Sequence, residues 1–189
     1  MNGAPPAVDI PTEQRRIRQQ AVRSFLLCAV FLGAAIYWLP QWADFPNETG
    51  SRIAFALRAD IFVTVWVLIA VRLVSRIRFV SAEDNAGAAY SPPSPRLAVR
   101  AAFLQNTLEQ AFIATVAYLA LATVEGEAPL AFIIASVVLF TVGRLTFLRG
   151  YPGGAGARAF GMVTTTLPSL GAFCWVIYDL AVGSLQQWK

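Results

Sequence analysis

Long apolar stretches alternate with short polar connections along most of the chain. Five such stretches cover residues 24–43, 53–73, 101–124, 130–147 and 160–185. An α-helix rises about 1.5 Å per residue, so roughly 17 to 25 residues cross a hydrocarbon core about 30 Å thick. The pattern predicts an all-α integral membrane protein with five membrane-crossing helices.

The composition agrees with a membrane protein. Hydrophobic residues make up 57% of the chain and charged residues 14%, whereas a soluble domain carries about 25% charged residues. The chain has no histidine, which excludes Ser-His-Asp and Cys-His catalysis and most zinc sites, and we predict no metal site. Cys28 and Cys174 lie in different apolar stretches, so we expect two buried free thiols rather than a disulfide.

The distribution of positive charge predicts the orientation in the membrane. Of the 15 Lys and Arg residues, all but Arg52, Arg58 and Lys189 lie on one predicted side. The positive-inside rule then places the N-terminus in the cytoplasm and the C-terminus outside, and we expect a bacterial inner membrane. Because nearly all basic residues flank apolar stretches, orientation accounts for the net charge of +4, and we expect no nucleic-acid partner.

The N-terminal region is divided into a polar tail, residues 1–23, and a first membrane helix, residues 24–43. A cleaved signal peptide is the alternative for this segment, since a charged region precedes an apolar one. The length of the segment and the aromatic residues Tyr37, Trp38 and Trp42 at its far end favour a retained anchor.

Polar residues concentrate near the start of the third predicted helix. At 100° per residue, Gln105, Asn106, Glu109 and Gln110 fall within an arc of about 140°, so we expect one polar face on which Asn106 and Glu109 touch. Such a face either holds helices together or belongs to a functional site.

Two further sets of charged residues occur at helix ends. The segment from Gly143 to Arg158, GRLTFLRGYPGGAGAR, is either a flexible turn with positive-inside arginines or a basic pocket for an anion. In the second predicted helix, Arg58 and Asp60 are two positions apart and face different sides. We expect Arg58 to extend towards the membrane surface and Asp60 to find a partner on another helix.

These segments together resemble the MAPEG family, the membrane-associated proteins in eicosanoid and glutathione metabolism, over about residues 53–185. The resemblance rests on the N-x-x-E motif of Asn106 and Glu109, on Gly143-Arg144 followed by tyrosine and arginine, and on a loop with Phe and Glu-Asp. The tyrosine and arginine that follow Arg144 are Tyr151 and Arg158, and the loop residues are Phe79, Glu83 and Asp84. It implies a MAPEG-like four-helix bundle, with the segment 24–43 as one additional N-terminal transmembrane helix.

The resemblance also implies a function and a site. Members of the family form trimers that bind glutathione between subunits near the cytoplasmic face, and many transfer it to lipophilic electrophiles. The residues implied around glutathione are Arg72, Arg100, Asn106, Glu109, Arg144 and Tyr151, with Arg158 nearest the sulfur. Other members bind lipids without catalysis, and this chain has Ala102 where the eukaryotic enzymes have an arginine. The expected function is therefore a glutathione-dependent transferase or peroxidase, with a non-catalytic lipid- or glutathione-binding protein as the alternative.

Overall fold

The computed structural model describes residues 9–87 and 89–186 of the 189-residue chain. This part of the chain forms five α-helices, and a single 3-10 turn, Tyr151–Gly153, joins the last two. The helices are α1 (Ile10–Trp42), α2 (Thr49–Val80), α3 (Pro95–Leu121), α4 (Ala128–Gly150) and α5 (Gly154–Gln186). The predicted all-α fold class with an additional N-terminal helix is confirmed.

Most helices extend beyond the apolar stretches that predicted them. Helix α1 begins at Ile10, inside the segment predicted as a tail, and residues 1–8 of that segment lie outside the described residues. Hydropathy marks only the apolar centre of a membrane helix. Gln, Arg and Glu also favour helix, so the helix continues through the polar residues on either side.

Three helical stretches among the described residues are long and apolar enough to cross a membrane: Ile10–Trp42, Thr49–Val80 and Ala128–Gly183. The last contains both α4 and α5. Helix α3 is not among them, because the polar residues near its start lower its mean hydropathy. The chain is thus an integral membrane protein by length and composition, and the number of five crossings stays a prediction.

Contacts between helices establish their relative directions. The hydroxyls of Ser24 on α1 and Thr164 on α5 lie 2.7 Å apart, and Arg52 near the start of α2 donates to the carbonyl of Ala122 just after α3 at 2.9 Å. Along α5, Gly156 and Thr164 contact Glu13 and Ser24 of α1, and Met162 and Thr166 contact Asn106 and Gln110 of α3, so these three helices are parallel. Ala157 and Thr165 of α5 lie against Gly150 and Gly143 of α4, so α4 runs the other way, as does α2, whose start lies at the end of α3. The half of the bundle where α1, α3 and α5 begin carries every described Lys and Arg except Arg52 and Arg58. We call it the arginine-rich half.

Helix α4 lies at the centre of the bundle and contacts all four other helices. Helix α1 packs against α4 and α5, but only 11% of its most apolar window is buried, so it forms an outer layer. Cys28 on α1 is buried and Cys174 on α5 is exposed, and both are free thiols. The prediction of a buried thiol is therefore wrong for Cys174, because it lies on the outer side of α5.

The connection between α2 and α3 is held by one carboxylate. Asp84 accepts hydrogen bonds from the backbone N–H and the hydroxyl of Ser94 at 2.8 and 2.7 Å. The Ser94 hydroxyl in turn accepts from the N–H of Leu97 at 3.2 Å and caps α3. The hydrogen bond from the Ser94 backbone, followed by bonds from the hydroxyls of Ser94 and Ser81, lowers the pKa of Asp84 below its ordinary value.

Candidate functional site

Arg144 lies fully buried near the end of α4 and is bound on two sides. One guanidinium nitrogen donates to the Asn106 side-chain oxygen on α3 at 2.8 Å. Two others donate to the Thr165 hydroxyl on α5 at 2.8 and 3.2 Å. The guanidinium carbon lies 4.8 Å from the centre of the Phe147 ring, a cation–π distance. A charge in a membrane helix is costly unless polar groups or an opposite charge compensate it, and here neutral polar groups and an aromatic ring of the same chain do so.

Two glycines allow α4 and α5 to approach closely enough for these hydrogen bonds. A Cβ on Gly143 would collide with the Thr165 hydroxyl and the Gly161 carbonyl. A Cβ on Gly161 would collide with the backbone of Phe147. Small residues at helix interfaces serve this purpose in membranes, and here they bring Thr165 to Arg144.

A pocket of about 400 Å³ lies beside Arg144 in the arginine-rich half. Its polar wall contains Arg158, Tyr151 and Asn106. The Arg158 guanidinium stacks 4.7 Å from the centre of the Tyr151 ring. The other lining residues are apolar: Ile17, Ala102, Phe147, Ala155, Ala159, Met162 and Val163. The volume is within the range of small-molecule sites.

Asn106 connects the buried arginine to this pocket. Its oxygen accepts from Arg144, and its amide nitrogen lies 3.6 Å from the sulfur of Met162. Asn106 thus contacts both a residue of the pocket wall and the buried guanidinium.

Comparison with known proteins identifies the family. The sequence profile of the MAPEG family matches residues 53–178, which is about two thirds of the chain and includes α3, α4 and most of α2 and α5. The chain belongs to the MAPEG family. No curated protein and no solved structure matches it significantly.

The matched region of this MAPEG protein contains every residue predicted for the site, but the structure brings only some of them together. Asn106, Tyr151 and Arg158 line the pocket, and Arg144 lies behind it, with its hydrogen bonds made to Asn106 and Thr165. Arg72 is exposed on α2, and Arg100 is partly buried on α3. Neither arginine lines the pocket.

The predicted polar face of α3 is divided between two environments. Asn106 and the buried Gln110 point towards α5, where Gln110 accepts from the Thr166 hydroxyl at 3.0 Å. Gln105 and Glu109 are exposed and hydrogen bond to each other at 3.2 Å. No hydrogen bond joins Asn106 to Glu109 among the described residues. Residues four apart lie closer to one line along a helix than residues three apart, so Asn106 and Gln110 form the inner stripe and Gln105 and Glu109 the outer one.

Helix α1, which the family profile does not include, supplies one wall of the pocket. Ile17 lines it directly. Four residues before, the Glu13 carboxylate accepts from the N–H of Gly156 at 3.0 Å, where it faces the start of α5 as anions commonly do. Sequence reasoning missed both residues because they lie in the segment predicted as a tail. The missed signal was their spacing: Glu13 and Ile17 are four apart, as on one helix face.

Proposed function

We propose that this MAPEG protein is a membrane-embedded glutathione-dependent transferase or peroxidase that acts on lipophilic electrophiles. One observation carries the proposal: a guanidinium, that of Arg158, faces a largely apolar pocket together with Tyr151 and Asn106. Such a pocket pairs a group that stabilises an anion with walls that accept an apolar molecule.

The residues of the pocket suit one part of glutathione in particular. The tripeptide presents a thiol, an ammonium group and two carboxylates. A guanidinium, a phenol hydroxyl and an amide fit a thiolate and one carboxylate. Arg100, Arg72 and the exposed Glu109 lie outside the pocket of the single chain, so we propose a homotrimer in which neighbouring subunits complete the binding of the rest.

Arg158 would act on the ionisation of the thiol. A free thiol has a pKa of about 8.5, so only a few per cent is thiolate at neutral pH. A guanidinium close to the sulfur favours the anion, and exclusion of water strengthens the effect. Arginine stays protonated and cannot take the proton itself, so the proton leaves to solvent. The thiolate sulfur then forms a bond to the electrophilic carbon as the leaving group departs with its electron pair.

The orientation of the protein in the membrane is part of the same proposal. The positive-inside rule assigns the arginine-rich half to the cytoplasmic side, where glutathione is available, in a bacterial inner membrane. The electrophile reaches the apolar part of the pocket from the lipid bilayer.

The test uses purified protein in lipid nanodiscs, titrated with glutathione. We expect heat of binding at millimolar glutathione or below, an ultraviolet thiolate signal, and conjugation of a reactive aryl halide. Arg158→Ala should abolish the thiolate signal. Arg149→Ala is the matched control, since Arg149 is exposed near the end of α4 and does not line the pocket. Absence of glutathione binding at millimolar concentration would refute the proposal.

A specific observation favours a second candidate, a non-catalytic lipid- or glutathione-binding protein. Ala102 lines the pocket at the position where the eukaryotic enzymes have an arginine, and the hydrogen-bonding capacity of Arg144 is directed to Asn106 and Thr165. Binding of glutathione without a thiolate signal or turnover would support this candidate over the enzyme.

A further inference from the structure

A carboxylate without a partner lies in the other half of the bundle. Asp60 on α2 is 4% exposed, and neither of its oxygens has a hydrogen-bond partner among the described residues. The interhelix partner expected from the sequence is thus not found within this part of the chain. A buried carboxylate in a membrane helix needs a partner or a bound cation to stay ionised, and otherwise takes up a proton.

The cations in the described part of the chain are accounted for. Asp60 is 11 residues from the start of α2, about 16 Å along the helix, and the only described cations in this half are Arg52 and Arg58. Arg52 is bound to the carbonyls of Pro46, Ala122 and Val124. Arg58 is exposed and lies about 160° around the helix from Asp60, so it cannot reach the carboxylate of its own chain.

Asp60 lines a pocket of about 230 Å³ that opens on the surface of α2. Thr64 and Thr115 add hydroxyls to its wall, and the exposed side chains of Leu57, Ile61 and Leu68 surround it with apolar surface. The pocket is open towards the bilayer, and Asp60 is its one charged lining residue. Both Asp60 oxygens are closed off from the opening, so the carboxylate has to turn towards the pocket before a group from another chain can reach it.

Asp60 and Arg58 lie on different faces of α2 at nearly the same depth in the bundle. A rise of two residues separates Arg58 from Asp60 by about 3 Å along the helix axis. In a ring of identical subunits, each interface joins two different surfaces of the same molecule. A surface bearing an exposed Arg58 and a surface bearing an unpaired Asp60 are complementary in charge and matched in depth.

We propose that Arg58 of one copy of the chain enters the Asp60 pocket of the next copy, where the Asp60 carboxylate turns towards it and the two form an ion pair. The Asp60 site is therefore incomplete in the single chain, and the α2 surface around Leu57, Ile61 and Leu68 is an interface between copies. The pairing rests on the assembly of copies proposed above but needs no thiol chemistry, so loss of the pair with the thiolate signal retained would leave the role of Arg158 standing.

Cysteine cross-linking in native membranes tests the pairing directly. Two versions of the chain carrying different tags, both with Cys28→Ala and Cys174→Ala, are expressed together, one with Arg58→Cys and the other with Asp60→Cys. Oxidation with copper phenanthroline should give a dimer that carries both tags. The control pair combines Arg58→Cys with Val63→Cys, because Val63 is fully buried within its own bundle and should not cross-link.

Neutral substitutions test the energy of the pair. Truncating one side of a buried interface ion pair costs about 2 kcal/mol or more, which lowers the association constant about thirtyfold or more. Arg58→Gln and Asp60→Asn should each have this effect, and the double variant should be little worse than either single one. Equal and additive losses, or none, would overturn the proposal.

Two other outcomes would also overturn it. If Asp60→Cys fails to fold, Ile61→Cys at the mouth of the pocket replaces it, and absence of a cross-link to Arg58→Cys in folded protein contradicts the pairing. A monomeric chain that binds dodecylammonium in nanodiscs, and loses that binding with Asp60→Asn, would assign the pocket to a lipid-soluble cation instead.

Discussion

Arg144 and Asp60 are both buried charged residues in membrane helices, yet the structure treats them in opposite ways. Arg144 donates to Asn106 and Thr165 and lies against Phe147. Asp60 has no hydrogen-bond partner in the described part of the chain. Hydrogen bonds within the bundle thus offset the cost of burying the charge of Arg144, whereas no hydrogen bond among the described residues does so for Asp60.

The difference shows what each residue can do. A charge whose hydrogen bonds are made within the chain fixes the packing of α3, α4 and α5 and is little available to a ligand. A carboxylate without a partner can still accept a proton or a hydrogen bond from another group. The contrast therefore favours a supporting role for Arg144, whose role in binding glutathione stays a prediction, and it is the basis of the interface proposed at Asp60.

The largest expected effect on stability comes from removing Arg144, the buried charge that is hydrogen bonded within the chain. Arg144→Met keeps most of the side-chain length but leaves Asn106 and Thr165 without their donor. Each buried group left without a hydrogen bond costs about 1–3 kcal/mol, so we expect a loss of about 3 kcal/mol or more in the free energy of unfolding. Thermal or denaturant unfolding in detergent measures it.

Arg149→Met is the control for this change. It removes the same charge from an exposed position on the same helix and should change stability by no more than about 0.5 kcal/mol. Equal effects of the two substitutions would contradict the structural role of Arg144.

An effect of opposite sign is expected at Asp60. In detergent that separates the copies, Asp60→Leu removes a buried polar group that has no partner, which costs about 1–3 kcal/mol to keep. The dissociated chain should become more stable by up to that amount, although assembly in membranes weakens. Asp179→Leu, an exposed carboxylate on α5, should leave stability nearly unchanged. Destabilisation of the monomer by Asp60→Leu would mean that the carboxylate is satisfied within the chain.

The sequence predicts the helices of the fold better than it predicts the contacts at the candidate site. The five helices follow from hydropathy, because burial in lipid requires long apolar runs. The start of α1 does not follow, since Glu13 and Ile17 become meaningful only once α1 packs on α5. Asn106 and Arg144 were both predicted as ligands of glutathione. Their contact with each other joins positions 38 residues apart, and periodicity along one helix cannot reveal it.

Asp84 provides the smallest expected effect and a carboxylate to set beside Asp60. Both are almost fully buried, but Asp84 accepts two hydrogen bonds from Ser94, and these lower its pKa. A carboxyl whose pKa is lower in the folded than in the unfolded state stabilises the fold above the unfolded value, near 3.9, and loses that contribution as the pH falls through the folded value. The unfolding temperature of the protein should therefore fall when the pH is lowered below about 4, and Asp84→Asn should flatten that fall while lowering stability slightly at neutral pH.

Glu83→Gln removes the neighbouring, exposed carboxylate and should leave the acid profile as it is in the unmodified chain. If both substitutions flatten the profile equally, the effect belongs to the net charge of the loop and not to the bonds between Asp84 and Ser94.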